Sequence, residues 1–204
     1  RTEARDNGYY MFRFLRNSDI KDNVYFELVS IKDIRITDEY GGFRLNIKGT
    51  FYKIRTNFFI EITTGDIITP REIKYKYSSI FEDKKINIMA YTIETIIAEK
   101  FESIISKNIT TTRAKDFYDL YMLIDNHKDE IDNGVLKRAV INTFNKRNTT
   151  YDINLFRETL EILESSDTLK NVFMDYQSKL VYPQKVEYKK TIDALNLIID
   201  ILNK

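Results

Sequence analysis

The apolar residues of this chain change their spacing once, near residue 90, and that change constrains the fold more than any other feature. Before it, the stretch Phe43–Ile47 alternates apolar and polar side chains, which predicts a half-buried β-strand. After it, the apolar residues of Tyr91–Ile124 recur every three or four positions, which predicts amphipathic helices. We therefore expect an α+β fold, with a β-rich part at residues 1–90 and a helical domain at residues 91–204.

Composition and local patterns predict the other elements. Further strands are expected at Val24–Ser30, Ile31–Thr37, Asn57–Thr63 and Lys85–Met89. Gly49 suits a bulge in the strand that begins at Phe43. Thr92 is a suitable N-cap for the first helix, and the second helix is expected to begin within Thr110–Thr112. Later helices are expected near Lys128–Lys146, Asp152–Ser165, Thr168–Leu180 and Val186–Leu202.

The composition excludes several classes of site. The 204 residues include no cysteine and one histidine, His127, so disulfides, thiolate metal sites and histidine-rich zinc sites are excluded. Any metal must be hard and oxygen-liganded, for which Mg²⁺ is the natural choice. The net charge of +1 gives no overall case for a nucleic-acid or membrane partner. Without a signal peptide pattern or an apolar run of about 20 residues, we expect a cytoplasmic protein.

Lys100 is the most unusual residue of the first helix. Six residues on one side of that helix cover an arc of about 140°: Ile93, Ile96, Ile97, Lys100, Phe101 and Ile104. Lys100 is expected near the centre of this arc. Its ammonium can extend to water along its own methylene stem, or it must find an anion. A carboxylate and a bound phosphate are the two candidates.

Asp116 and Asp119 begin the second helix and offer the carboxylates. Asp116 lies at the edge of the apolar stripe of that helix, whereas Asp119 is expected to point further away. If the two helices pack antiparallel, Lys100 can meet Asp116. Acidic residues near a helix start are also favoured by the helix dipole, and Arg113 and Lys115 offer pairing partners at i+3 and i+4. A purely structural ion pair would leave a Lys100→Met variant folded.

Glu61 is the third candidate carboxylate. It lies in the strand NFFIEIT, on the face opposite Phe58, Ile60 and Ile62. One interpretation is an ordinary solvent-facing position. The other is a strand-borne carboxylate that lines a metal site, as in two-metal nucleotidyl transfer.

Three runs of the sequence resemble one family. They are DEYGGFRLNI at Asp38–Ile47, IEITTGDIITP at Ile60–Pro70 and YTIETIIAEKFESIISKNITTTRAKDFYDLYML at Tyr91–Leu123. Together they resemble the AbiEii/AbiGii toxins, which are bacterial nucleotidyltransferase-like proteins of abortive-infection and toxin–antitoxin systems. The resemblance implies a polymerase-β-like nucleotidyltransferase sheet with an added helical domain. It also implies Mg²⁺-dependent binding and transfer of an NTP, with tRNA as a target for some relatives and a cognate antitoxin as partner.

The resemblance also implies roles for individual residues. Lys100 matches the lysine of the family's AEK motif, which contacts nucleotide phosphates. Asp116 and Asp119 match the two aspartates of the family's KD-x-YDL motif. Glu61 falls where members commonly carry the Asp that serves as the third metal carboxylate.

Two departures from the family pattern give an alternative. The Gly-Gly or Gly-Ser turn and the Asp-x-Asp strand that hold the metals upstream in the family are not found here, and Asp6 has no clear counterpart. Glu61 replaces an Asp, and its extra methylene moves the carboxylate outward. We therefore also expect that the chain is truncated or catalytically inactive, and acts as a module that binds a nucleotide, RNA or an antitoxin.

Overall fold

A computed structural model describes residues 23–34, 41–80, 83–110, 113–181 and 184–204. The chain divides into two compact units, Arg1–Asp66 and Ile67–Lys204, and each is described by itself. Expectations for Asp6 and for the end of the Ile31–Thr37 strand lie outside the described residues. The second helix begins at Ala114, with Arg113 at its N-cap position, and not within Thr110–Thr112 as expected.

The first unit contains a three-stranded antiparallel sheet in the order β1-β2-β3. The strands are β1 (Val24–Ile34), β2 (Gly42–Phe51) and β3 (Ile54–Thr63). The predicted alternation is confirmed over the first half of central strand β2, where every second side chain is buried: Phe43, Leu45 and Ile47. Ile60 and Ile62 of β3 pack against them, so Glu61 faces the opposite side of the sheet.

The bulge of this sheet lies in β1 and not at Gly49. The register between β1 and β2 shifts between Leu28 and Ser30, whereas Gly49 pairs regularly with Phe26 and with a residue of β3. Over the described residues, the predicted strands Val24–Ser30 and Ile31–Thr37 are one strand, β1. Gly49 is useful for another reason. A Cβ there would lie 3.4 Å from the Phe58 ring, and without it the Phe26 and Phe58 rings pack edge to face across the glycine, with centroids 5.8 Å apart.

The second unit begins with a β-hairpin, followed by six α-helices in the described part of the chain. The hairpin pairs β4 (Ile73–Ser78) with β5 (Lys85–Ala90); β5 was predicted and β4 was not. The compact units thus divide at Asp66, while the change from strand to helix lies near residue 90 as expected. The helices are α1 (Ile93–Lys107), α2 (Ala114–His127), α3 (Asn133–Lys146), α4 (Ile153–Ser165), α5 (Asp167–Ser178) and α6 (Tyr188–Leu202).

Side-chain caps explain where several helices begin. The Thr92 hydroxyl accepts a hydrogen bond from the Thr95 backbone N–H at 3.2 Å and donates one to the Thr69 carbonyl at 2.7 Å. The predicted N-cap of α1 is therefore confirmed. Asp132 and Asp152 cap α3 and α4 in the same manner. These caps satisfy backbone N–H groups that have no partner within the helix.

The helical core is built around aromatic side chains. Phe101 of α1, Phe144 of α3 and Phe156 of α4 are fully buried, with ring centroids 5.1 to 6.0 Å apart. Helix α1 packs against α2 and α3, and α6 packs against α2 and α4. This arrangement fixes Lys100, the neighbour of Phe101, close to helix α2. In the described part of the chain, no helix is long and apolar enough to cross a membrane.

Candidate functional site

Lys100 lies at the edge of the buried face of α1, and not near its centre. The buried residues include Ile97, Ala98, Phe101 and Glu102, so the middle of the buried face is displaced from the apolar stripe. The sequence pattern missed this displacement because part of the buried face is polar. A position at the edge lets the Lys100 ammonium reach both water and the neighbouring helix.

Two carboxylates of α2 bind the Lys100 ammonium. Its Nζ lies 3.2 Å from Asp116 Oδ1 and 2.8 Å from Asp119 Oδ2. All three side chains are largely buried, with exposed fractions of 20%, 15% and 23%. The expected contact with Asp116 is confirmed, but Asp119 was expected further away and makes the shorter contact. We call Lys100, Asp116 and Asp119 the ionic cluster.

Two exposed cations complete the surroundings of the ionic cluster. Lys115 Nζ lies 2.7 Å from Asp119 Oδ2, and Arg113 Nη1 lies 4.0 Å from Asp116 Oδ2. Both pairs follow the helix spacing expected from the sequence. Because Lys100 and Lys115 both approach Asp119, the charge of Asp119 is neutralised more strongly than that of Asp116.

The charges of the cluster perturb its titration. Burial by itself would raise the pKa of Asp119, but hydrogen bonds from Lys100 and Lys115 outweigh burial and hold that pKa below its ordinary value. The hydrogen bond to Asp119 raises the pKa of Lys115 against the opposing effect of burial. Asp119 and Lys115 are therefore charged at neutral pH. Asp119 acts as the anion that holds the two ammonium groups, and Lys115 carries positive charge that a phosphate could meet.

Glu61 has a different partner, in the first unit. The Arg44 guanidinium on the adjacent strand donates two hydrogen bonds to Glu61 Oε1, one of them at 2.8 Å from Nε. The same guanidinium lies 4.5 Å from the centre of the Phe59 ring. Glu61 is 41% exposed, as expected for the solvent-facing side of the sheet. The sequence did not single out Arg44, although its pairing follows from the register of β2 and β3.

The described carboxylates do not fit a Mg²⁺ site. Among the described residues, no group of three or more His, Cys, Asp or Glu side chains could hold a metal ion. Glu61 is bonded to a guanidinium, and Asp116 and Asp119 are bonded to an ammonium. A hard cation needs several oxygen ligands in close, ordered geometry, which these pairs do not offer.

The sequence also missed a second buried ionic group, at the junction of α1 and α3. Glu102 is 4% exposed and accepts hydrogen bonds at 2.6 Å from both Arg147 Nη1 and the Thr149 hydroxyl. Arg147 also donates to the Glu99 carbonyl at 3.3 Å. Each Glu102 oxygen is thus satisfied, which is the condition for burying a charge. This group therefore anchors α1 and does not compete with the ionic cluster as a binding site.

One family model matches most of the chain. It is described as "Nucleotidyl transferase AbiEii toxin, Type IV TA system" and matches residues 11–189 of the 204. No curated protein and no solved structure matches the chain. The matched range includes the ionic cluster and Glu61. The chain belongs to the AbiEii family of nucleotidyl transferase toxins of type IV toxin–antitoxin systems.

Proposed function

We propose that the chain is a nucleotidyltransferase-type toxin that uses Lys100 to bind the phosphates of an NTP. The observation that carries the proposal is the ionic cluster, in which a largely buried lysine is oriented by two carboxylates in a chain of this family. A lysine ammonium has three N–H donors. Two are used by Asp116 and Asp119, which leaves one for a phosphate oxygen.

The proposed reaction is an in-line attack on the α-phosphorus of the NTP. A hydroxyl oxygen of the acceptor forms the new bond to that phosphorus and gives its proton to solvent water, and the bond from the phosphorus to the bridging oxygen breaks, so that pyrophosphate leaves. Such reactions depend chiefly on positioning and charge neutralisation. Lys100 supplies the neutralising charge, while Asp116 and Asp119 hold its ammonium in place. The acceptor is proposed to be an RNA, with tRNA as the first candidate.

Magnesium stays a prediction of the family resemblance, and no step of the proposal passes through it. The pairing of Glu61 with Arg44 favours a second candidate function, a nucleotide-binding module that does not transfer. An antitoxin partner is implied by the family description. We propose no contact surface for it.

Calorimetric titration with NTPs, with and without Mg²⁺, tests the phosphate role of Lys100. Loss of one hydrogen bond to a charged group costs about 1.5–3 kcal/mol, so Lys100→Met should weaken NTP binding roughly tenfold to a hundredfold. Lys107→Met is the matched control, because Lys107 is an exposed lysine in the last turn of the same helix. Equal NTP affinity of Lys100→Met and the unsubstituted chain would refute the assigned role.

Incorporation of labelled NTP into tRNA separates the two candidate functions. The transferase proposal expects incorporation that Lys100→Met abolishes and Lys107→Met retains. Binding of NTP without incorporation would favour the binding module instead. The absence of NTP binding by the unsubstituted chain would exclude both.

A further inference from the structure

We propose that a cleft between the start of α2 and the last turns of α5 binds the terminal nucleotide of the RNA acceptor strand. This inference rests on the proposed function, because it assigns the second substrate of the same site. The cleft has a volume of about 470 Å³, within the range of about 300–1,000 Å³ typical of small-molecule sites. The described residues that line it belong to these two helices and their caps, within the second compact unit.

The apolar part of the cleft is suited to a base. Val172 and Tyr176 lie one helical turn apart on α5, and Ala114 contributes from α2. The Tyr176 ring packs edge to face against Tyr118, with centroids 6.0 Å apart, which limits its rotation. Bases stack on such aromatic side chains with little dependence on sequence.

Tyr176 lines the same cleft as Asp116 of the ionic cluster. Burial is the main cause that raises the pKa of its hydroxyl, and the charge of Asp119 adds to it. The hydroxyl is therefore protonated at neutral pH and can donate a hydrogen bond. A nucleotide that stacks on this ring would lie close to the residues assigned to NTP binding.

The rim of the cleft carries a small positive excess. Three cations, Arg113, Lys115 and Lys179, line it together with two carboxylates, Asp116 and Asp175, so the formal balance is one positive charge. Lys115 and Lys179 have exposed fractions of 67% and 70% and pair with Asp119 and Asp175. Exposed pairs of this kind are weak, so both side chains can turn toward a ligand. A phosphodiester carries one negative charge, which a rim with one excess positive charge can balance. The rim is therefore suited to a phosphodiester of the acceptor strand.

Asp116 connects the cleft to the ionic cluster. Its side chain lines the cleft, and its Oδ1 atom lies 3.2 Å from Lys100 Nζ. A nucleotide in the cleft would thus contact Asp116, whose carboxylate contacts the Lys100 ammonium that is proposed to hold the NTP. Transfer requires the acceptor strand and the NTP to be bound next to each other in this way.

Two ligands measured separately test the inference. The probes are a short, fluorescently labelled single-stranded oligoribonucleotide, followed by anisotropy, and an NTP, followed by calorimetry. Tyr176→Ala removes the stacking surface, Tyr176→Phe keeps it, and Lys179→Gln removes one cation of the rim. Lys170→Gln is the matched control, because Lys170 lies on the same helix, pairs with Asp167 and is not part of the cleft.

Tyr176→Ala should weaken oligoribonucleotide binding roughly fivefold to a hundredfold, while Tyr176→Phe and Lys170→Gln should stay within about twofold of the unsubstituted chain. Lys179→Gln should lower the slope of log affinity against log salt by about 0.7. Circular dichroism checks that each variant is folded, and Lys179→Gln provides an independent test if Tyr176→Ala is not.

Three results would overturn the inference. They are no oligoribonucleotide binding by the unsubstituted chain, equal binding by Tyr176→Ala and Lys170→Gln, and a loss of NTP binding in Tyr176→Ala as large as the loss of RNA binding. The last would assign the cleft to the NTP. A failure of the proposed function is recognised separately, since it would appear as NTP binding that does not respond to Lys100→Met.

Discussion

Replacing Lys100 by methionine should destabilise the helical unit by about 2 kcal/mol. The substitution removes an ammonium that donates to Asp116 at 3.2 Å and to Asp119 at 2.8 Å. At an effective dielectric constant of about 20, each such pair has a gross attraction of about 4 kcal/mol. Desolvation of the three partly buried charges offsets most of this attraction. The free energy of unfolding lost on substitution is therefore much smaller than the summed attraction of the two pairs.

Most of the lost stability is expected to arise at Asp116, because its carboxylate loses its nearest cation. Without Lys100, Asp119 keeps Lys115 at 2.7 Å, whereas the cation that remains near Asp116 among the described residues is Arg113, at 4.0 Å. Asp116 is 15% exposed, so water replaces the lost hydrogen bond incompletely. A hydrogen bond to a charged group contributes about 1.5–3 kcal/mol, which gives the expected 2 kcal/mol. For a chain of this size the midpoint of thermal unfolding should fall by about 4–8 °C.

Urea unfolding followed by the helical circular dichroism signal measures the effect. Lys115→Met is the matched control, because Lys115 contacts the same cluster but is 67% exposed, and an exposed pair contributes less than about 1 kcal/mol. Adding Asp116→Asn to Lys100→Met should recover part of the loss, because it removes the uncompensated charge. If Lys100→Met is as stable as the unsubstituted chain, or if Asp116→Asn recovers nothing, the reasoning is refuted.

Three further predictions concern stability. Glu102→Ala should cost about 3 kcal/mol in urea unfolding, because it removes the buried acceptor of Arg147 and Thr149 and leaves Arg147 with only the more distant carboxylate of Glu99, 3.8 Å away, among the described residues; a loss below about 1 kcal/mol would contradict this role of Glu102. Thr92→Ala should cost about 1 kcal/mol through loss of the N-cap of α1, whereas Thr92→Ser should retain most of the stability, and equal losses would exclude the cap as the cause. Because the folded-state pKa of Asp119 is lowered, its stabilising contribution is present above its unfolded pKa of about 4 and is lost as pH falls through the folded value. Urea titrations from about pH 6 to about pH 3 should therefore show a shallower decline for Asp119→Asn than for the unsubstituted chain.

Local periodicity was sufficient to predict most elements of secondary structure. The alternation around Leu45 placed β2 and its buried face correctly, because a strand displays its own residues on two sides whatever it packs against. The N-cap at Thr92 was also predictable, since a cap depends on neighbours within one turn. The strand β4 was missed even though Tyr75 and Tyr77 alternate with lysines, because that pattern is short and both of its faces are exposed.

To predict the ionic contacts, one must know how the helices pack as well as their apolar pattern. The apolar stripe of α1 suggested that Lys100 was central, but the buried face also includes Glu102, whose carboxylate is satisfied by Arg147 from a distant part of the chain. Apolar periodicity cannot reveal a buried polar residue whose partner lies elsewhere. The same limitation explains why Arg44 was not foreseen as the partner of Glu61.

The sequence by itself determined the α+β class, the change from strands to helices near residue 90, the family, and the choice of Lys100 and Asp116 as a pair. The tertiary structure decided that Asp119 joins the pair at 2.8 Å and that a cleft beside Asp116 is lined by α5. The physical reason is the range of the interactions. Periodicity, capping and motif spacing act within a few residues, whereas ion pairs and clefts depend on the angle and depth at which separate helices pack.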